Sequence, residues 1–233
     1  MRLLAVLPFL LATALGSSTI IRASEDFCSS PGFRNAFLDG RKSIDYPSLS
    51  PTLMGFGDRA IPCLITVVVH GPDALGITEC NSERQACRKW ALGAVGKIGT
   101  PKARAYLTGF LRGANDPDLL VVAILSLGNL RDEQARPAVV DLLINPNMQV
   151  RSNAILALGV IGNDGDFDKM LAAALSLPPE EIYIGAQGLL KLGDPRAIEP
   201  LEKHAKTIAD PTFRNGLEYV IKNLKLKRDS RPS

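Results

Sequence analysis

Aromatic side chains are scarce in this chain, at 6% of residues, and Trp90 is the single tryptophan. So thin a supply argues against a surface that stacks nucleic-acid bases. Charge of one sign is lacking too. The 27 basic and 24 acidic residues leave a net charge of +3, too little for a broad electrostatic pull toward nucleic acid or acidic substrates. Histidine is nearly absent, with only His70 and His204, and there is no Cys-x-x-Cys, which argues against a Cys/His zinc site. No Gly-x-Ser-x-Gly elbow is present to carry a nucleophilic serine. Disorder of the whole is excluded by the apolar content of 46%, and 233 residues suffice for one ordinary domain or one short solenoid.

A long apolar run occurs at the start, from Leu3 to Leu15 behind Met1-Arg2. A short positive start, an apolar stretch and the small residues around Ala14-Leu15-Gly16 have the form of an export signal spanning 1–16. Cleavage is expected before Ser17, with a second site after Ala23. An uncleaved anchor from Leu3 to Ile21 is the alternative, weakened by Gly16-Ser17-Ser18. Export predicts a secreted or periplasmic protein with no membrane span once the signal is removed. It also places Cys28, Cys63, Cys80 and Cys87 in an oxidising compartment, where an even count favours two disulfides.

The rest of the chain is organised by a repeat. Ala91–Gly99, Ala123–Arg131, Ala154–Gly162 and Gly185–Gly193 align without gaps, their last residues 32, 31 and 31 apart. Four columns share one helical face. Two are small: Ala91, Ala123, Ala154, Gly185, and Ala94, Ser126, Ala157, Gly188. Two are branched: Val95, Leu127, Leu158, Leu189, and Ile98, Leu130, Ile161, Leu192. A period near 31 predicts stacked helical hairpins. Thr100-Pro101, Asp116-Pro117, Asp194-Pro195 and Asp210-Pro211 mark helix starts, an N-cap followed by proline at the first helical position. Second helices follow over about 101–112, 132–144, 166–175 and 195–208, with Leu107, Val139, Met170 and Leu201 facing inward. A degenerate first pair carries Gly57–Leu64, and an insertion between His70 and Asn81 separates it from the next. Register makes Val67-Val68-Val69 helical despite its strand propensity. The amphipathic stretch from Pro211 to about Lys227, with Phe213, Leu217, Val220, Ile221 and Leu224 on one side, reads as a cap over the last apolar face. The expectation is an all-α solenoid of about five helical hairpins with a C-terminal capping helix. It occupies 51–227, between an N-terminal extension over 24–50 and a basic tail over 228–233.

The segments Ala-Leu-Gly-Val-Ile-Gly (157–162) and Gly-Asp-Pro-Arg-Ala-Ile-Glu-Pro-Leu (193–201) resemble the HEAT-repeat family, nearest to the short repeats of phycobilin lyase subunits. The resemblance implies antiparallel helix pairs stacked into a superhelix, second helices on the concave side, and protein binding as the usual role. It transfers no catalytic, cofactor-binding or metal-binding residue. Function then reads as an exported scaffold that binds another protein, not an enzyme and not a nucleic-acid binder. Rival readings are an assembly factor or lyase-like subunit that holds a client or cofactor, and an enzyme with an unrecognised site. Outward positions on the second helices are Asp141, Asp168, Glu199 and Lys203, of both signs, and Trp90 is a candidate partner anchor or a half-buried packing residue.

Other singular residues have structural readings. His204 falls in the column of Phe110 and Leu142 and reads as packing; His70 sits at a helix end, where the dipole favours a cation. Asp164, Asp166 and Asp168 imitate part of a calcium loop but stand where a helix should start, which favours capping. Arg88 and Arg151 share a repeat position and are expected in ion pairs between adjacent repeats. For the cysteines, Cys80 with Cys87 and Cys28 with Cys63 is the expected pairing. The first pair would pin the insertion and the second would staple the extension onto the weak first repeat; Cys63 with Cys87 and Cys28 with Cys80 is the rival.

Overall fold

The computed structural model describes residues 26–41 and 51–230. The export segment and both expected cleavage sites lie outside the described residues. Among the described residues every regular element is helical. The α-helices are α1 (Pro31–Arg41), α2 (Pro51–Phe56), α3 (Ile61–His70), α4 (Arg84–Ile98), α5 (Pro101–Gly113) and α6 (Pro117–Asn129). They continue as α7 (Arg136–Asp141), α8 (Met148–Ile161), α9 (Phe167–Leu175), α10 (Pro179–Leu192), α11 (Ile198–Ala205) and α12 (Pro211–Asp229). Contacts group them into two compact units, one ending at Thr100 and the other starting at Pro101.

In the unit that ends at Thr100, α3 packs along α4 and α1 along α2. Val67-Val68-Val69 is helical within α3, where Val67 and Val68 bury against neighbours. Residues 31–41 of the N-terminal extension form helix α1, with Phe33 and Phe37 fully buried. Phe27 meets Phe56 edge-on at 5.1 Å, and Phe37 meets Trp90 edge-on at 4.7 Å. Edge-to-face rings add attraction beyond the area they bury. Phe27, Phe33, Phe37, Phe56 and Trp90 form one cluster of rings, which sequence periodicity did not reveal because Phe27, Phe33 and Phe37 lie outside the repeats. Cys28 is bonded to Cys63 with Cα atoms 5.1 Å apart, and Cys80 to Cys87 at 6.2 Å. The insertion after His70 is two 3₁₀ turns, Pro72–Leu75 and Thr78–Glu83. Arg84 braces them, donating to the Asp73 carboxylate and the His70 carbonyl.

In the unit from Pro101, first helices α6, α8 and α10 pack side by side, each on the next, and α12 continues the row. Second helices α7, α9 and α11 pack on this row, and α5 packs on α6 and α7. This is the stacking of an α-solenoid, with α12 as the last described member of the row. Asp116, Asp194 and Asp210 cap their helices through side-chain bonds to backbone amides, each followed by proline. Asp132 and Asn163 cap the 3₁₀ turns that open the second helices of the middle pairs.

The column of Val95, Leu127, Leu158 and Leu189 is buried throughout. The column of Ile98, Leu130, Ile161 and Leu192 is not. Ile161 alone is buried, because this position is the last residue of its helix or the cap beyond it, at the edge of the row. The missing core column is Leu92, Ile124, Ile155 and Ala186, one residue after the first small column and wholly buried. Small residues bring α8 and α10 close. A Cβ on Gly188 would stand 2.2 Å from the Ile155 carbonyl oxygen, and one on Gly159 2.3 Å from that of Gly188. At such separations a side chain forces the backbones apart. One polar contact is buried between the same helices, with the Ser152 hydroxyl donating to Glu181 at 2.7 Å. It satisfies a carboxylate that would otherwise be costly to enclose.

Candidate interaction surface

The second-helix side of the unit from Pro101 is scored by grooves. One of about 720 Å³ lies between α5 and the α6–α7 turn, lined by Arg104, Thr108, Arg112, Arg131 and Glu133 among others. The next, about 620 Å³, lies between the ends of α7 and α9 and includes Asp141, Ile144, Pro146, Arg151 and Lys169. A third, about 570 Å³, lies between α11 and α12 and includes Ala205, Lys206, Ile221, Lys222 and Leu226. Ile144 is 88% exposed and Leu226 58%. Each stands at the lip of its groove as an apolar side chain without a covering neighbour.

Arginines on one helix pair reach the turn of the next. Arg104 donates to the Leu130 carbonyl at 3.0 Å and lies 4.0 Å from Asp132. One pair later, Arg136 grips Asp166 with Nε and Nη2 at 2.6 and 2.7 Å and also reaches Asn163. Asp166 meanwhile accepts from the Asn163 amide and completes a capping box. Burial pushes the Asp166 carboxyl up, but the Arg136 fork and the Asn163 amide outweigh it and hold the group below its ordinary value. In the following pair Phe167 takes the arginine's column, and Arg196 stacks over its ring at 4.1 Å while bonding to Asp194. These contacts fix the spacing of the grooves.

Arg88 and Arg151, which share a repeat position, both donate to backbone carbonyls. Arg88 donates to Val68 at 2.8 Å, and Arg151 to Asn145 and Pro146 at 2.8 and 3.0 Å. Both sit near the C-terminal end of a preceding helix, where orphan carbonyls and the negative end of the dipole attract a cation. Arg151 Nε is buried with no partner among the described residues.

Of the candidate surface residues, Asp141 lines the α7–α9 groove. Asp168 is exposed, 3.9 Å from Arg196. Glu199 and Lys203 pair one turn apart on α11 at 2.7 Å, which holds the carboxylate below and the ammonium above their ordinary values. These four share the second-helix side. Trp90 belongs to the other unit and is half-buried against Phe37, so its ring is committed to packing rather than free as an anchor. Sequence reasoning passed over Ile144 and Leu226, since an isolated apolar residue in a repeat reads as core until its exposure is known. Among the described residues no group of three His, Cys, Asp or Glu side chains could hold a metal, and no single helix is long and apolar enough to cross a membrane.

The family described as HEAT repeats matches residues 110–184. No curated protein matches the chain. Among solved structures, the crystal structure of an engineered protein is similar over 85% of this chain and 98% of that one, at 15% identity and a TM-score of 0.41. So loose a likeness adds nothing to the fold described above. Neither match extends to the phycobilin-lyase subtype. The matched segment runs from α5 into α10, so the middle helix pairs of this chain are similar to the HEAT-repeat family.

Proposed function

We propose that this protein is an exported scaffold that binds another protein through the concave, second-helix face of its repeats. The observation that carries the reading is Ile144, 88% exposed at the lip of the groove between α7 and α9. An apolar side chain beside a groove and rimmed by Asp141 and Lys169 has the make-up of a contact centre, with an apolar anchor inside a polar rim. HEAT repeats commonly serve protein interaction and are typically non-catalytic. Export is supported by the two disulfides joining all four cysteines, which persist in an oxidising compartment.

A photo-crosslinking residue at position 144 tests the binding face. In the native compartment it should give a discrete adduct with one polypeptide, and the same probe at Val160, exposed on first helix α8, should not. Equal adducts from both positions, or none from 144, would reject this face. N-terminal sequencing of protein from that compartment tests export: a start at Ser17 or Ser24 is expected, and intact Met1 in a soluble cytosolic fraction would refute it.

A further inference from the structure

We infer that the groove between α5 and the α6–α7 turn holds a carboxylate-bearing segment of the partner protein, with Arg131 and Arg112 as its anion-contacting residues. The inference rests on the scaffold reading and names the chemistry of what the scaffold grips.

Arg131 is the single non-glycine residue with positive φ among the described residues, at 50°. The matching positions in two other repeats are Gly99 at 63° and Gly193 at 79°. This backbone conformation favours glycine, and a side chain is carried there against that preference. Strain of this kind points to a use for the side chain. Arg131 is exposed and lines the groove opposite Arg112, and neither guanidinium has a hydrogen-bond or ionic partner among the described residues. Arg104 is spent on the turn itself, bonding the Leu130 carbonyl, so it braces the backbone that displays Arg131.

Charge along this face is uneven in a way that the chain's composition hides. Residues 101–233 hold 17 basic and 16 acidic side chains, close to balance. Yet cations outnumber carboxylates in each of the three grooves: three to two, two to one and four to two. Much of the acid is committed to capping, as Asp116, Asp132, Asp166, Asp194 and Asp210 are. The groove beside Arg131 loses Asp132 in this way, since its carboxylate accepts from the Gln134 amide and is buried. A guanidinium fork matches a carboxylate in shape and charge. No aromatic ring lines the groove for base stacking, so a protein segment is favoured over a nucleic acid.

The test uses the full chain and fluorescein-labelled octaglutamate, with octalysine and an eight-residue oligothymidylate as comparisons, read by anisotropy at low salt. Octaglutamate should bind, and Arg131→Gly and Arg112→Gln should each weaken it about tenfold, the loss of one charge-assisted contact. Arg131→Gly suits the backbone, so its melting temperature should not fall. Lys191→Gln, on first helix α10, should leave binding unchanged. Octaglutamate binding indifferent to both arginine variants, or equal binding of oligothymidylate with the same losses, would overturn the inference. If octaglutamate fails to bind while the adduct at Ile144 forms, the inference falls and the scaffold reading stands. If Arg131→Gly abolishes octaglutamate binding while no adduct forms at Ile144, the acidic-segment groove stands and the scaffold face is wrong.

Discussion

Asp166 closes the capping box of its own second helix while receiving the fork of Arg136 from the preceding pair. Its side chain is nearly inaccessible and its carboxyl is held below the ordinary value. A depressed carboxyl stabilises the fold above the unfolded pKa, about 3.9, and that contribution fades as pH falls through the lower folded value. Asp166→Asn should therefore cost about 1–3 kcal/mol at neutral pH, short of a fully buried pair because Arg136 keeps partial access to water. Urea melts should show the gap between wild type and variant shrinking as pH falls below the unfolded value of about 3.9. A gap that stays constant across that range would mean that the ionised carboxylate is not what the contact depends on. The sequence already favoured capping over a calcium loop for Asp164, Asp166 and Asp168, since they stand at a helix start. It did not reveal Arg136 as the partner, because the match lies 30 residues away and the next repeat has Phe167 in the arginine's column.

Between elements, α8 and α10 are held at a distance that Gly188 sets. Gly188→Ala should destabilise by about 1–3 kcal/mol, the cost of forcing packed backbones apart, even though alanine is the better helix former. Leu158→Ala, in the buried column of the same helix row, should cost about 2–5 kcal/mol by leaving a cavity. Denaturant melts check both, and a loss below about 0.5 kcal/mol for Leu158→Ala would mean that the site collapses around the smaller side chain. This scale is where the sequence was most informative. A period of 31 residues and the Asp-Pro punctuation locate the helices because capping and small-residue packing are local rules that repeat. Leu92, Ile124, Ile155 and Ala186 escaped, since an apolar residue beside a small column is compatible with either face until the packing direction is fixed. The grooves were less visible still. Arg131 ends an aligned segment where the other three end in glycine, and its φ of 50° marks it as a side chain kept against backbone preference.

Over the whole molecule, reinforcement is unevenly distributed. Both disulfides and the cluster around Phe27, Phe37, Phe56 and Trp90 lie before Thr100, where α2 is only six residues long. From Pro101 onward the repeats stand on buried columns, interhelix arginines and polar contacts such as Ser152 with Glu181, with no cross-link among the described residues. In a stacked array, stability is approximately a sum of unit terms and neighbour terms, so removing a cross-link should act where it lies. Loop-closure entropy ranks the two bonds. Cys28–Cys63 closes a separation of 35 residues and should contribute up to about 4 kcal/mol, against about 2.5 kcal/mol for the separation of seven in Cys80–Cys87. The double variant Cys28→Ser/Cys63→Ser should accordingly destabilise more than Cys80→Ser/Cys87→Ser. Its effect should begin at the covered end, since Cys28 and Cys63 fix the extension onto α3 while Phe33 and Phe37 bury beneath it. Hydrogen exchange by mass spectrometry gives the spatial test. Amides of α1, α3 and α4 should lose protection in Cys28→Ser/Cys63→Ser before those of α8 and α10, whose backbones pack directly on each other. Equal loss of protection in all these helices would mean that the chain opens as one cooperative body, with the staple serving the whole fold rather than its first unit.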